Sequence, residues 1–220
     1  MFNSEKLKVI GNKHFKEAQE LTEISINGVA TFHQDVQAES FHILGRCKVK
    51  RAVQADRFVN KGSCSVNGKL TCNQLVNIGQ GSFNLIEANN IESSGSLETT
   101  DSISCKTFQS MGHLKLKGGL ICERASIEVS APSEVSEIKV TDEVTIKLAK
   151  LTLLNVKSLI RKKMVIGSIH GKNVDLEHTQ ASQVFGEVVK IGSNCKVDEV
   201  FYKEALDVHP SAVVNKSNKV

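Results

Sequence analysis

Glycine recurs through the first half of this chain at an almost constant interval. The recurring glycines are Gly28, Gly45, Gly62, Gly79, Gly95 and Gly112, and the step between neighbours is seventeen in four cases and sixteen in one. A fixed period of this kind is the sequence signature of a repeat architecture, in which each unit contacts only its neighbours. Any fold proposed for this chain must therefore place one residue type at the same point of every unit.

Apolar residues keep fixed distances from these glycines. The position eight residues after a glycine holds Val36, Val53, Leu70, Ile103 and Leu120. The position ten residues after holds Ala38, Ala55, Cys72, Cys105 and Cys122. The position thirteen residues after holds Phe41, Phe58, Leu75, Phe108 and Ala125. These columns predict that equivalent side chains stack on one another from unit to unit.

The spacing inside one unit predicts three short strands joined by three corners. Apolar positions come in pairs two residues apart, which is the period of a strand with one buried face. The pairs are separated by uneven steps, where the chain can turn. No recurrence at three and four residues supports a helix. We therefore predict an all-β fold, a three-faced parallel β-helix (β-solenoid) with about 17 residues per coil. Glycine is expected at one corner because that corner needs a positive φ.

One predicted inward column is polar in its centre. Fifteen residues after each glycine, or fourteen in the shorter unit that begins at Gly79, stand Ile43, Asn60, Asn77, Ser93, Ser110 and Ile127. Buried polar side chains are costly unless they form hydrogen bonds, so we expect them to bond one another along the axis. A ligand slot is the alternative, and the inward orientation disfavours it.

The pattern divides the chain into five segments. We expect an N-terminal flank at 1–22, regular coils at 23–129, a less regular basic β-helix segment at 130–173, further coils at 174–214 and a flexible tail at 215–220. The coils would number about eleven and form a rod about 50 Å long, since parallel strands lie about 4.8 Å apart.

Two segments carry charge patterns that allow two interpretations each. The N-terminal residues Met1, Phe2, Lys6 and Lys8 combine an apolar tip with positive charge. They are either a membrane-touching peptide or a frayed terminus. Residues 139–172 carry eight Lys or Arg and two acids, with the anionic-partner patch at Lys157, Arg161, Lys162 and Lys163. That segment either recruits an anionic partner or is a solvated surface.

No known catalytic motif is present in the sequence. Nucleotide-binding loops, metalloprotease motifs and nucleophile elbows are absent, and the seven histidines do not cluster. The six cysteines lack the CxxC spacing of a zinc or redox site, so we expect buried free thiols. We therefore predict no enzyme, no cofactor and no metal. The absence of a long apolar run or a leader pattern makes a cytoplasmic location the expectation.

The repeat resembles that of the bactofilins, a bacterial family of polymer-forming cytoskeletal proteins. The resemblance rests on 17-residue coils such as SFHILGRCKVKRAVQAD and RFVNKGSCSVNGKLTCN, and it covers about residues 24–214. The chain departs from the family pattern in its length, in the interruption near Pro132 and in the missing proline-rich tail. The resemblance implies a right-handed helix and nucleotide-independent polymerisation. It also implies peripheral membrane association through a short N-terminal peptide, and scaffolding of cell shape, cell-wall synthesis, division or motility.

The two ends of the rod are the expected assembly surfaces. The N-terminal end is predicted at Ile24, Ile26 and Phe32, and the C-terminal end at Leu206, Val208, Ala212 and Val214. The implied partners are further copies of this chain, another bactofilin-like protein and an anionic membrane surface, and we do not expect nucleic acid. One alternative is a non-polymerising adaptor that binds through residues 139–172. A left-handed hexapeptide acyltransferase is the enzyme alternative, and the 17-residue and 16-residue spacings argue against it.

Overall fold

Every regular element in the computed structural model is a β-strand over the residues it describes, which are 5–149 and 163–220. The strands are β1 Lys6–Val9, β2 Asn12–Phe15, β3 Gln19–Ile26, β4 Val29–Phe32, β5 Val36–Ile43, β6 Arg46–Val49, β7 Val53–Asn60, β8 Ser63–Asn77, β9 Gln80–Ser93, β10 Ser96–Thr99, β11 Ile103–Ser104, β12 Thr107–Ser110, β13 His113–Leu116, β14 Leu120–Val129, β15 Ser133–Leu148, β16 Met164–His170, β17 Asn173–Leu176, β18 Thr179–Ile191, β19 Lys196–Val208 and β20 Val213–Lys219. The all-β prediction is confirmed.

The strands stack in parallel into a solenoid of about 12 coils, each about 17 residues long. Each coil contributes a strand segment to each of three faces. We call the face that begins with β2 and β4 face 1, the face that begins with the first half of β3 face 2, and the face that begins with β1 face 3. Longer strands such as β8 run around a corner and pair on more than one face. The three-faced architecture is therefore as predicted.

The interior is filled by the columns that the repeat defines. In the coil that contains β5 and β6, the inward residues alternate with exposed ones and are almost fully buried. Phe41 pairs with Phe58 in the next coil, and their ring centroids lie 5.2 Å apart. Large side chains of adjacent coils thus pack directly on one another, which is the main apolar contribution to stability in a narrow rod.

The corner glycines serve a different purpose from the one predicted. Positive φ values at glycine occur at Gly11 and Gly119 among the described residues, and not at the glycines that follow Gly11 along this corner. Instead, a β-carbon at Gly62 would overlap the carbonyl oxygen of Gly45 in the coil before, and one at Gly79 would overlap that of Gly62. Glycine is needed because successive backbones approach too closely for any side chain.

The N-terminal boundary of the solenoid also differs from the prediction. β1 pairs with β3, so Leu7 and Val9 lie beside Ile24 and Ile26 of the next coil, and β2 pairs with β4. The segment predicted as a flank therefore forms a further coil from its first described residues. The charged residues that obscured the repeat mostly occupy outward positions, where a strand tolerates them.

The C-terminal tail and the interruption near Pro132 are both absorbed into the ladder. β20 pairs with β19 up to Tyr202 and Lys219, so the tail predicted to be flexible is a strand held by backbone hydrogen bonds. Near Pro132 the coil is longer than usual, because Leu116 pairs with Val135, two residues beyond the ordinary step. The extra residues lie in the turn before β15, and β14 and β15 remain paired with one register shift between Cys122 and Arg124.

The buried column on face 2 provides a direct test of the register. Ile103 is fully buried, whereas the next residue, Ser104, is exposed. We expect Ile103→Asp to lower the free energy of unfolding by about 3–5 kcal/mol, because it buries an unpaired charge. Ser104→Asp should change it by less than about 0.5 kcal/mol. Chemical denaturation of both variants measures the difference, and equal stabilities would contradict this register.

Candidate self-assembly surfaces

The polar column on face 3 contains a hydrogen-bonded ladder of side chains. Asn60 and Asn77 are fully buried, and the Asn60 side-chain amide donates to Asn77 Oδ1 at 2.8 Å. The Asn77 amide donates in turn to Ser93 Oγ at 3.1 Å and to the Ser96 carbonyl at 2.9 Å. Because these groups bond each other inside the rod, they form a structural ladder. The predicted ladder is present from Asn60 to Ser93, whereas Ser110 Oγ and Asn60 Oδ1 are buried without a hydrogen-bond partner among the described residues.

The cysteines behave as buried apolar residues. All six are free, and five of them are buried while Cys105 is half-buried. Burial raises the pKa of the Cys72 thiol to about 12. A hydrogen bond with Cys122 is the largest cause of the raised pKa of Cys105, and burial adds to it. Thiolate is the reactive form, so these environments suppress nucleophilic and redox chemistry.

Charged and polar side chains do not gather into a metal centre in the described ranges 5–149 and 163–220. No group of three His, Cys, Asp or Glu residues there is arranged to hold an ion. Over the same residues, no helix is long and apolar enough to cross a bilayer.

The residues predicted to form the N-terminal assembly end lie one coil inside the rod. They are fully buried, and they are Ile24, Ile26 and Phe32. The first coil covers them, and Phe15 stacks on Phe32 with ring centroids 4.7 Å apart. In that first coil Val9 is fully buried, whereas Leu7 and Phe15 are half-buried. The open apolar surface at this end therefore belongs to Leu7 and Phe15, and the prediction was wrong by one coil.

The residues predicted to form the C-terminal assembly end do lie in the last coil. They are Leu206, Val208, Ala212 and Val214. Val208 shows how the column opens at this end: its side chain is 38% exposed, although its neighbour Ile191 one coil earlier is fully buried. No described strand covers Val208, so the same column position changes from core to surface.

Backbone groups are also left open at both ends. Among the described residues, β1 and β2 have a neighbouring strand on one side only, and β20 pairs only with β19. Such edges expose unpaired N–H and C=O groups that can accept another strand. The ends are thus the places where the ladder can be continued.

The inward columns match when the C-terminal end of one rod faces the N-terminal end of another. The column that ends with Leu206 begins with Leu7, and the column that ends with Val214 begins with Phe15. A third column is polar at both ends, because it begins with Gln19 and its last position is Ser217. Two apolar matches and one polar match favour a head-to-tail stack that continues the parallel ladder.

The remaining end residues include lysines that limit the apolar surface. Lys13 occupies an inward column position in the first coil, and Lys219 occupies one in the last coil. On the outer side of face 3, the same alignment of ends brings Asp207 next to Lys8. Both side chains are exposed, so an ion pair between two rods is geometrically available there.

The other predicted contact residues are only partly described. Five of them lie outside the described residues, namely Met1, Phe2, Lys157, Arg161 and Lys162. Lys6 forms an ion pair with Glu23 at 2.8 Å, and Lys8 and Lys163 are exposed. Two further lysines of the basic segment are already paired, Lys139 with Glu137 and Lys147 with Asp175. The described part of this segment therefore offers less free positive charge than the sequence suggested.

A half-buried aromatic ladder on the outer side of face 2 was missed from the sequence. Phe185 lies between His170 and Phe201, with ring centroids 4.4 Å and 4.6 Å away and nearly parallel planes. The steps between these three residues along the chain are close to the coil period, and that spacing is the signal that could have revealed them. The rings point outward from face 2 and add stacking energy between the last coils.

These features define a three-faced parallel β-solenoid with two open ends and no assembled metal centre in its described part. Comparison with protein-family models, with curated proteins and with solved structures gives no match. Function therefore has to be inferred from the geometry of the rod.

The polar ladder provides a test of its structural role. Asn77→Ala removes the acceptor for Asn60 and the donor to Ser93, leaving buried polar groups unpaired. We expect the free energy of unfolding to fall by about 1–3 kcal/mol. Gln109→Ala, at an exposed outward side chain of the same face, is the control and should cost less than about 0.5 kcal/mol. Thermal unfolding of both proteins measures the difference, and similar losses would argue against the ladder.

Proposed function

We propose that this protein is a polymer-forming scaffold of the bactofilin type, which assembles end to end without a nucleotide. The observation that carries the proposal is the open column at the C-terminal end, where Val208 is 38% exposed at a column position that is buried in every earlier described coil. Stacking a second rod there would bury both cross-sections and pair both backbone edges. Neither step needs an energy source.

The scaffold role follows from this mode of assembly. A rod about 55 Å long that adds copies at its ends becomes a filament with three uninterrupted lateral faces. Those faces can carry partners at regular intervals, which suits the positioning roles in cell shape, cell-wall synthesis, division or motility that the bactofilin resemblance implies. Association with the inner face of the cell membrane through the N-terminal residues belongs to the same proposal.

Substitution at the end coil tests assembly directly. Val208→Lys places a charge in the apolar junction between rods, so the concentration needed for filament formation should rise about tenfold or more. Val188→Lys is a matched control, because Val188 is also 38% exposed and lies on the same face, with its side chain outward. Electron microscopy without nucleotide compares filament lengths. The absence of filaments in the unsubstituted protein would overturn the scaffold proposal and favour an adaptor.

The head-to-tail arrangement makes a separate prediction. Asp207→Lys should shorten the filaments, because it places two lysines together at the junction. Lys8→Asp should also shorten them, and the double variant Lys8→Asp/Asp207→Lys should restore the original length. The length distribution measured at low salt reports the effect, since exposed pairs are screened at high salt. A double variant that assembles no better than the single ones would point to head-to-head stacking.

A further inference from the structure

Large apolar residues project from one corner of the solenoid in every second one of its first eight coils. At the corner between face 3 and face 1, successive coils present Ile10, Asn27, Leu44, Lys61, Ile78, Ser94, Met111 and Glu128. We call these eight residues the corner column and number the coils 1 to 8 in that order. The apolar members are 71%, 59%, 49% and 49% exposed in chain order.

The corner column is straight because each residue is hydrogen-bonded to the coil before. The amide of Leu44 donates to the Ile26 carbonyl at 2.8 Å, and the amide of Ile78 donates to the Asn60 carbonyl at 2.8 Å. Adjacent coils lie about 4.8 Å apart, so the apolar side chains stand about 9.6 Å apart with a polar side chain between them. Exposed apolar side chains in a regular row mark an interaction surface, whereas isolated ones need no explanation.

This alternation is complementary to itself when two rods lie antiparallel. A two-fold axis perpendicular to the rods can place coil 1 opposite coil 8, coil 2 opposite coil 7, and so on. Every apolar corner residue then faces a polar position of the partner: Leu44 faces Ser94, and Ile78 faces Lys61. Apolar and polar corner residues then alternate across the contact, which is the self-complementary arrangement of an isologous interface.

The charges beside the corner support the same register. One outward row of face 1 runs through coils 1 to 8 as His14, Thr31, Lys48, Ser65, Ser82, Glu98, Lys115 and Glu134. In the antiparallel register Lys48 faces Glu98 and His14 faces Glu134, while Lys115 faces Thr31. Lys48 and Glu98 are exposed, and neither forms an ion pair with another described residue.

The row on the other side of the corner contains no like-charge pair either. On face 3 the corresponding residues are Lys8, Ser25, His42, Val59, Val76, Glu92, Gln109 and Ser126. The register brings His42 opposite Glu92, and Val59 opposite Val76 at its centre. A parallel pairing in register would instead place face 1 of one rod beside face 3 of the other and bring Glu98 next to Glu92.

We propose that the corner column and the adjoining row of face 1 form a side-by-side interface with a second, antiparallel copy of this chain. The partner at this surface is a second copy, because a single two-fold rotation matches both the alternating apolar residues and the opposite charges of the two chains. This surface is separate from the two ends, so it goes beyond end-to-end assembly. Two head-to-tail filaments joined in this way form a two-stranded filament.

The lateral interface can be tested where end-to-end assembly is blocked. In the full chain carrying Val208→Lys, we expect sedimentation to show a dimer that weakens as salt is raised. Adding Leu44→Asp should increase its dissociation constant about tenfold or more, because it buries a charge where Leu44 packs opposite Ser94 of the second copy. Adding Ile121→Asp, at a residue 51% exposed on face 2, is the matched control and should leave the dimer intact.

Cross-linking tests the antiparallel register. A short bis-maleimide should join Lys48→Cys to Glu98→Cys when the two variants are mixed. It should not join Lys48→Cys to itself, because the two copies of that residue lie about 14 Å apart along the rods. The protein with its native cysteines alone sets the background.

Four results would overturn the proposal. These are a monomer throughout the Val208→Lys series, equal effects of Leu44→Asp and Ile121→Asp, and cross-linking of Lys48→Cys alone. The fourth concerns lipid binding. If the protein forms no dimer but floats with phosphatidylserine vesicles, and Leu44→Asp abolishes that flotation, the corner binds a lipid surface instead. Filaments of the unsubstituted protein are measured separately, so failure of the lateral interface is distinguishable from failure of end-to-end assembly.

Discussion

Backbone hydrogen bonding between coils is the constraint on which this structure depends. A coil is too thin to bury its own peptide groups, so each strand must be paired by the coil before and the coil after. Among the described strands, the requirement is met along the interior of the rod and fails at its two ends. The open ends are therefore a consequence of the architecture, and they suit further copies of the chain because only a solenoid end offers the matching three edges.

The same constraint explains what could be predicted from the sequence. The period and the inward columns were predictable because each column must be apolar or hydrogen-bonded, and Asn60 and Asn77 satisfy the second condition. The first coil and the final strand segment at 215–219 were missed because an end coil is covered on one side only. Polar residues such as Lys13 and Ser217 are tolerated there, and the repeat is lost from the sequence although the backbone pairing continues.

The assembly surfaces were only partly predictable for a related reason. Val208 could be placed in the last predicted coil because apolar pairs two residues apart continue to Val214, whereas Ile24 was misplaced with the missed first coil. The corner column was not predicted because apolar residues that recur only in every second coil carry no signal in a repeat of one coil. Their alignment becomes visible only when the coils are stacked. Lys48 and Glu98 face each other only when a second, antiparallel copy is placed beside the first.

The glycines at the corner have a consequence for how such a chain can change in length. The carbonyl of one glycine occupies the space that a side chain on the next would need, as at Gly45 and Gly62. At this corner each coil therefore presents the same backbone surface to the coil above and to the coil below. A whole coil could be duplicated or deleted between two glycines, and the backbone contact between the coils that then become neighbours would be the same as before. The glycine corner makes the first half of the rod modular, so the length of the rod can change during evolution in steps of about 4.8 Å.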